Sequence, residues 1–181
     1  MQADFREIEL SESENPRLLV MKHLLESGEL RVRFGMEVRL AHLDDLDEVT
    51  RLFDRYRMFY AQVSDLDAAR EFIQMRFQQG DSTIFIALDE LRGVGYTQLY
   101  PSFSSVSMKR LWILNDLFVE ETARRQGIGA QLMQAAESFA RQTGAVRIAL
   151  STQITNQSAQ SLYESRGYVK DEVFYHYSLP L

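Results

Sequence analysis

Apolar and polar positions alternate over residues 36–40, which predicts a first strand with one buried face. The period then changes. Leu43, Leu46, Val49, Phe53, Tyr56 and Tyr60 recur at helical spacing, so a helix is expected over 43–62. Asp44, Asp45, Asp47 and Glu48 load its first turns, where the helix dipole favours negative charge. A second helix is expected over 65–79, stopped by Gly80. Residues 83–88 are apolar and rich in strand formers, 89–93 turn, and 94–100 return as a strand as far as Pro101. The serine-rich 102–107 reads as a loop. Residues 111–114 and 117–119 are dense in apolar side chains, as a buried central strand requires. A helix follows with Ile128, Leu132, Ala136 and Phe139 on one face, ending near Gly144. Val146, Ile148 and Leu150 alternate as another strand. Residues 157–166 fit a short helix with Gly167 after its end, and 168–177 read as a last strand.

This order, β-α-α-β-β-β-α-β-α-β, suits a mixed sheet with helices on both faces. With no internal repeat and no linker after residue 36, residues 36–181 read as one domain. Residues 1–35 read as a partly helical extension, in which Asn15 caps a helix that has Pro16 at its first position and Gly28 after its end. Leu18, Leu25 and either Met21 or Lys22 share a face of that helix.

Composition narrows the function classes. The chain has 181 residues, 45% hydrophobic and 25% charged, which is ordinary for a globular protein with a sizeable core. No apolar run approaches the roughly 20 residues of a membrane span, and the first residues do not form a secretory signal. The net charge of −6, with no basic block, argues against generic nucleic-acid binding. The absence of cysteine removes disulfides, a thiol nucleophile and thiolate metal sites, and suits a cytoplasmic setting. His23, His42 and His176 are scattered without ligand spacing, so no metal is expected.

The chemistry concentrates in residues 115–130. Arg124, Gly127 and Gly129 stand in the spacing Arg-x-x-Gly-x-Gly between the central strand and its helix. A helix start leaves amide N–H groups unpaired at the positive end of the dipole, and glycines let a ligand approach the backbone. That is a site for phosphate oxygens, although an ordinary turn with glycines has the same local signature. The stretch lacks the Lys-Ser/Thr of a nucleotide P-loop and the third glycine of a dinucleotide fingerprint.

What remains resembles the pyrophosphate loop of the GNAT superfamily of acetyl-CoA-dependent N-acetyltransferases. The C-terminal third is similar to the same family: Asn156 after a strand, then Leu162, Tyr163, Gly167 and Tyr168. Taken singly, Asn156 reads equally as a helix N-cap and Tyr163 as a core aromatic. The resemblance, which runs from Met36 to Tyr177, implies the GNAT fold, an α/β (α+β) architecture with a central mixed, mostly antiparallel sheet flanked by helices. It also implies acetyl transfer from acetyl-CoA to a primary amine by direct attack in a ternary complex. Donor binding falls on Leu117, Phe118, Val119, Arg124, Arg125, Gln126, Gly127, Ile128, Gly129, Ala130, Asn156 and Tyr163. A backbone N–H near Phe118 or Val119 would face the oxyanion, and Tyr163 would protonate the departing thiolate. Asp116 matches one member of an acidic pair found in polyamine acetyltransferases of the superfamily, whereas Asn115 replaces the other and cannot act as a base. Base catalysis by Asp116, a contribution from Glu120 or Glu37, or water alone therefore all stay open. Tyr56, Phe59 and Tyr60, which read equally as core aromatics, are expected at the acceptor with Asn115 and with Asp116, which reads equally as a carboxylate that orients substrate or makes a structural hydrogen bond; the acceptor is either a small cationic, polyamine-like amine or a lysine side chain. A homodimer is expected. The alternative is a non-catalytic domain of this fold that binds acetyl-CoA or a partner.

Overall fold

The computed structural model describes residues 35–180, so the helix expected around Asn15–Gly28, the extension as a whole and His23 lie outside the described residues. Strands β1 (Glu37–Leu40), β2 (Thr83–Asp89), β3 (Arg92–Ser104), β4 (Lys109–Val119) and β5 (Ile148–Leu150) form a sheet in chain order. Pairs β1–β2, β2–β3 and β3–β4 are antiparallel, and β4–β5 is parallel. The helices are α1 (Leu46–Phe59), α2 (Leu66–Gln79), α3 (Ile128–Gln142) and α4 (Gln157–Ser165). The mixed, mostly antiparallel sheet flanked by helices is the architecture expected from the chain.

Both faces of the sheet are covered, which explains the near-continuous apolar run of β2, buried from Ile84 to Leu88. Ile84, Ile86 and Leu88 pack with Val49 and Leu52 of α1 and Ile73 of α2. Phe85 and Ala87 face the other way, toward Leu132, Met133 and Ala136 of α3. Ile128, Leu132 and Met133 are essentially sealed from water, and burying each contributes about 1.5–3 kcal/mol. The end of α1 is tied to the start of α2 by Asp54, which accepts from Ser64 Oγ at 2.6 Å and from the Asp65 N–H at 2.9 Å.

Boundaries shift where hydrogen bonding overrides pattern. Residues 43–45 form a 3-10 turn before α1, and α1 stops at Phe59. Strand β3 runs through Pro101 to Ser104, taking in residues expected to loop, because β4 pairs with it as far as Lys109. The expected strand over 168–177 does not form. Its alternation is strand-like, but β5 offers only three residues of ladder, and Asp171 Oδ1 accepts from the N–H groups of Val173 (2.9 Å) and Phe174 (3.0 Å) to bend the chain. Among the described residues no helix is long and apolar enough to cross a membrane.

Candidate active site

The parallel ladder between β4 and β5 ends at Leu114 opposite Leu150. Strand β4 continues to Val119, while the chain after β5 turns away. The two strands part at their carboxyl ends, the place where open α/β sheets bind ligands. A cleft of about 680 Å³ opens there. Leu114, Asn115, Leu117, Phe118 and Val119 of β4 form one side, with Ser151, Thr152 and Asn156 after β5 on the other. The start of α3 closes one end, and Leu162 and Tyr163 of α4 line it with Tyr56, Phe59 and Tyr60 from the last turn of α1.

The residues expected to form a phosphate loop meet at the start of α3. Gly127 is its N-cap in the left-handed conformation, φ 81°, which a side chain would strain. The first helical bond runs from the Gln131 N–H to Gly127 O at 3.1 Å, so the amides of Ile128, Gly129 and Ala130 precede the helical ladder. No side chain caps the helix and no acidic residue stands in its first turn, so its positive end is not neutralised from within. At Gly129 an added Cβ would lie 3.2 Å from Leu162 Cδ2, and this missing side chain lets α4 approach α3 across the cleft. Arg124 donates from Nε to Val119 O at 3.0 Å and lies over the Phe59 ring, which fixes its guanidinium at the rim. Arg125 is also at the rim, in the left-handed region at φ 61°. Gln126 is outside the lining and donates to Thr122 O at 3.3 Å.

Asn156 caps α4, its Oδ1 accepting from the Ala159 N–H at 3.1 Å, which leaves its amide NH₂ for another partner in the cleft. Burial, with Tyr60 as a smaller contributor, raises the Tyr163 phenol above its ordinary value, so Tyr163 holds its proton.

Asp116 is reached by an irregularity. Gln98 pairs with Asp116 but Leu99 pairs with Leu114, so Asn115 is an extra residue in β4, a β-bulge. The bulge exchanges faces. Trp112 and Leu114 point to the α3 side, whereas Phe118 packs on the α1–α2 side. Asp116 accordingly sits beside Tyr56 and Tyr96, 2% exposed and behind the cleft wall. Asn115 Nδ2 donates to its Oδ1 at 2.9 Å, and the Tyr56 hydroxyl donates to Asn115 O at 3.2 Å. The Tyr96 hydroxyl approaches the carboxyl without closing an ordinary hydrogen bond. Burial pushes the Asp116 carboxyl up to about 6, against the smaller opposing effect of its Tyr56, Asn115 and Tyr96 neighbours.

Glu120 is engaged elsewhere. Its buried carboxylate takes Arg51, Arg92 at 3.2 Å and Arg55 at 3.5 Å, pinning the end of β4 to α1. Glu37 lies on the outermost strand, three strands away from β4. Sequence reasoning missed Ser151, Thr152, Ser158 and Ala159 in the lining; the rule that parallel strands bind ligands at their carboxyl ends could have found the first two. It also missed Tyr96, which reads as an ordinary core residue of β3. Among the described residues no three of His, Asp or Glu gather as a metal site.

Residues 46–168 match the acetyltransferase (GNAT) family. An uncharacterised N-acetyltransferase of Bacillus subtilis, YhfO, is 47% identical over 144 residues, 80% of this chain and 97% of the relative. A crystal structure of a probable acetyltransferase superposes with a TM-score of 0.76 at 45% identity, covering 80% of this chain and 97% of the other. An aminoglycoside acetyltransferase from an uncultured soil metagenomic sample, solved in complex with sisomicin, has a TM-score of 0.67 at 25% identity, covering 81% and 96%.

Proposed function

Since the chain belongs to the acetyltransferase (GNAT) family and is an acyltransferase, we propose that it moves the acetyl group of acetyl-CoA to a primary alkylamine, with the parting of β4 and β5 as the place of reaction. The observation that carries this reading is the uncapped, acid-free start of α3 opening into the same cleft as Tyr163. The amides of Ile128, Gly129 and Ala130 hold the pyrophosphate, with Arg124 and Arg125 at its rim. Beyond Leu114 the backbone of β4 has no strand on its β5 side among the described residues; the Glu120 N–H goes to Val94 O, so by the alternation of the ladder the Phe118 N–H also faces β3, whereas the Val119 N–H faces the gap and receives the thioester carbonyl as it becomes an oxyanion.

The acceptor enters against Tyr56, Phe59 and Tyr60. An alkylammonium has a pKa of about 10.4 in water and must lose a proton before it attacks. Asp116 takes the proton through the Tyr56 phenol, which borders both the cleft and the carboxyl. The amine nitrogen bonds to the carbonyl carbon, the carbon–sulfur bond breaks, and Tyr163 gives its proton to the thiolate. With no cysteine in the chain, direct attack replaces an acyl-cysteine route.

The aromatic faces of Tyr56, Phe59 and Tyr60 suit the head of a cationic amine: a lysine side chain, a polyamine or an aminoglycoside-like amine. A cytoplasmic setting and assembly as a homodimer belong to the same reading. The test is one mass-spectrometric screen of polyamines, aminoglycosides, free amino acids and basic peptides with acetyl-CoA. Acetylation of a cationic primary amine is expected; acetylation only of neutral or anionic amines overturns the acceptor, and no acetylation overturns the activity.

The loop makes a separate prediction. Gly129→Val pushes a branched side chain onto Leu162 and narrows the cleft beside the pyrophosphate amides. Acetyl-CoA affinity is expected to fall by about 1–3 kcal/mol, near 5- to 150-fold. Calorimetry returning the parent affinity removes the loop from the site.

A further inference from the structure

The charge that lines the cleft has one sign. Among the described residues, its charged lining groups are Arg124 and Arg125, just before α3, and no Asp or Glu lines it. The carboxylates nearby in the chain are engaged elsewhere. Glu120 is taken by Arg51, Arg55 and Arg92. Asp54 accepts from Ser64 Oγ and the Asp65 N–H, and Asp65 in turn caps α2, accepting from the Ala68 N–H at 3.0 Å. Asp116 stands behind the wall, beside Tyr56, and does not line the cleft.

The acceptor wall itself is apolar or carries neutral hydroxyl and amide groups: Tyr56, Phe59, Tyr60, Leu114 and Asn115. Its apolar character continues outward. Phe59 is half exposed, and so is Met58 beside it, while Val63 in the turn toward α2 is almost fully exposed. Exposed apolar side chains of this kind mark contact with an apolar body.

The balance of charge then limits the acceptor. Arg124 and Arg125 offset the charge of the pyrophosphate. One ammonium rests on the faces of Tyr56, Phe59 and Tyr60 with Asp116 behind them. A second ammonium brought into the cleft leaves water and finds no carboxylate in the lining, and a charge desolvated without a partner is costly.

We propose that the acceptor carries a single ammonium on an apolar stem, and that the cleft rejects amines with a second ammonium close to the first, as polyamines and aminoglycoside-like amines have. This rests on the acetyl-transfer reading of the cleft and narrows it. Two sources share the chemistry: a free alkylamine or arylalkylamine, and a lysine side chain between apolar neighbours in a peptide.

A matched pair isolates the second charge. Butylamine and diaminobutane have the same carbon chain and differ in one terminal ammonium. With acetyl-CoA saturating, kcat/KM for butylamine is expected to exceed that for diaminobutane by roughly 10- to 100-fold. Phenethylamine and a peptide with one lysine between leucines separate the sources: the better of the two identifies the source, and it is expected to exceed diaminobutane as well. Tyr60→Glu puts a carboxylate on the wall at the exposed end of α1. It is expected to shift the butylamine-to-diaminobutane ratio toward the diamine by about 10-fold or more, with circular dichroism checking the fold. If that variant does not fold, the matched pair on the parent decides alone. Diaminobutane equalling or exceeding butylamine overturns the inference and leaves acetyl transfer standing, as does an unmoved ratio in folded Tyr60→Glu. Transfer to no amine of the panel overturns the inference together with the activity.

Discussion

Tyr163→Phe is expected to lower turnover roughly 10- to 1,000-fold, the span of general acid assistance, while acetyl-CoA binds about as before. The ring lines the cleft from α4, and its burial keeps the phenol protonated at any pH the enzyme meets. Phenylalanine fills the same volume and keeps the packing against Tyr168, so only the proton is lost. An amine attacks the carbonyl whether or not the proton is there. The carbon–sulfur bond, however, then breaks to a bare thiolate, and the barrier rises at that step. A loss concentrated in kcat, read in single-turnover experiments with calorimetric affinity unchanged, is the expected signature. Parent-like turnover under chemistry-limited conditions makes Tyr163 a core residue that happens to border the cleft.

Asp116→Asn is expected to act on rate and stability in opposite directions. Below pH about 6 the parent's carboxyl holds a proton and cannot take the amine's, so kcat/KM should fall on the acid side of that value. The variant has no such limb and runs about 10²- to 10⁴-fold slower, because no group accepts the proton. Acetyl-CoA affinity should hold, since Asp116 is outside the lining. Stability follows from the same shift. The carboxyl titrates at about 6 when folded against an ordinary 3.8, so the folded chain binds the proton more tightly. Its contribution to stability is complete below the lower value and is lost as pH rises through the upper one. At neutral pH the buried charge costs roughly 3 kcal/mol, and the neutral amide recovers part of it. Urea unfolding at a series of pH values should show the variant more stable than the parent at pH 7 and without the decline between the two pKa values. A variant that is less stable at pH 7, or that keeps the acid limb, assigns the carboxyl a structural role and leaves deprotonation to water.

Much of the fold was legible because its determinants are local. The buried run of β4, the glycines at 127 and 129 and the amphipathic face of α3 stand within one continuous stretch, and strand, turn and helix follow from near-neighbour sterics and periodicity. Gly127 needs its left-handed backbone whatever the sheet does. The same holds for Asn156, whose cap is made three residues on. Ionisable chemistry was less legible. Period-2 reading of β4 puts Asp116 on the face of Trp112 and Leu114, under α3. It reaches Tyr56 and Tyr96 only because the ladder with β3 leaves Asn115 over as a bulge, and a bulge belongs to a pair of strands. The cleft is likewise a property of two strands that part after Leu114 and Leu150, and its aromatic wall comes from a helix more than 50 residues earlier. Residues 168–177 show the limit from the other side: their alternation states a preference for a sheet. Whether a strand forms depends on a free edge within reach, because backbone N–H and C=O groups must find partners that no side-chain pattern supplies.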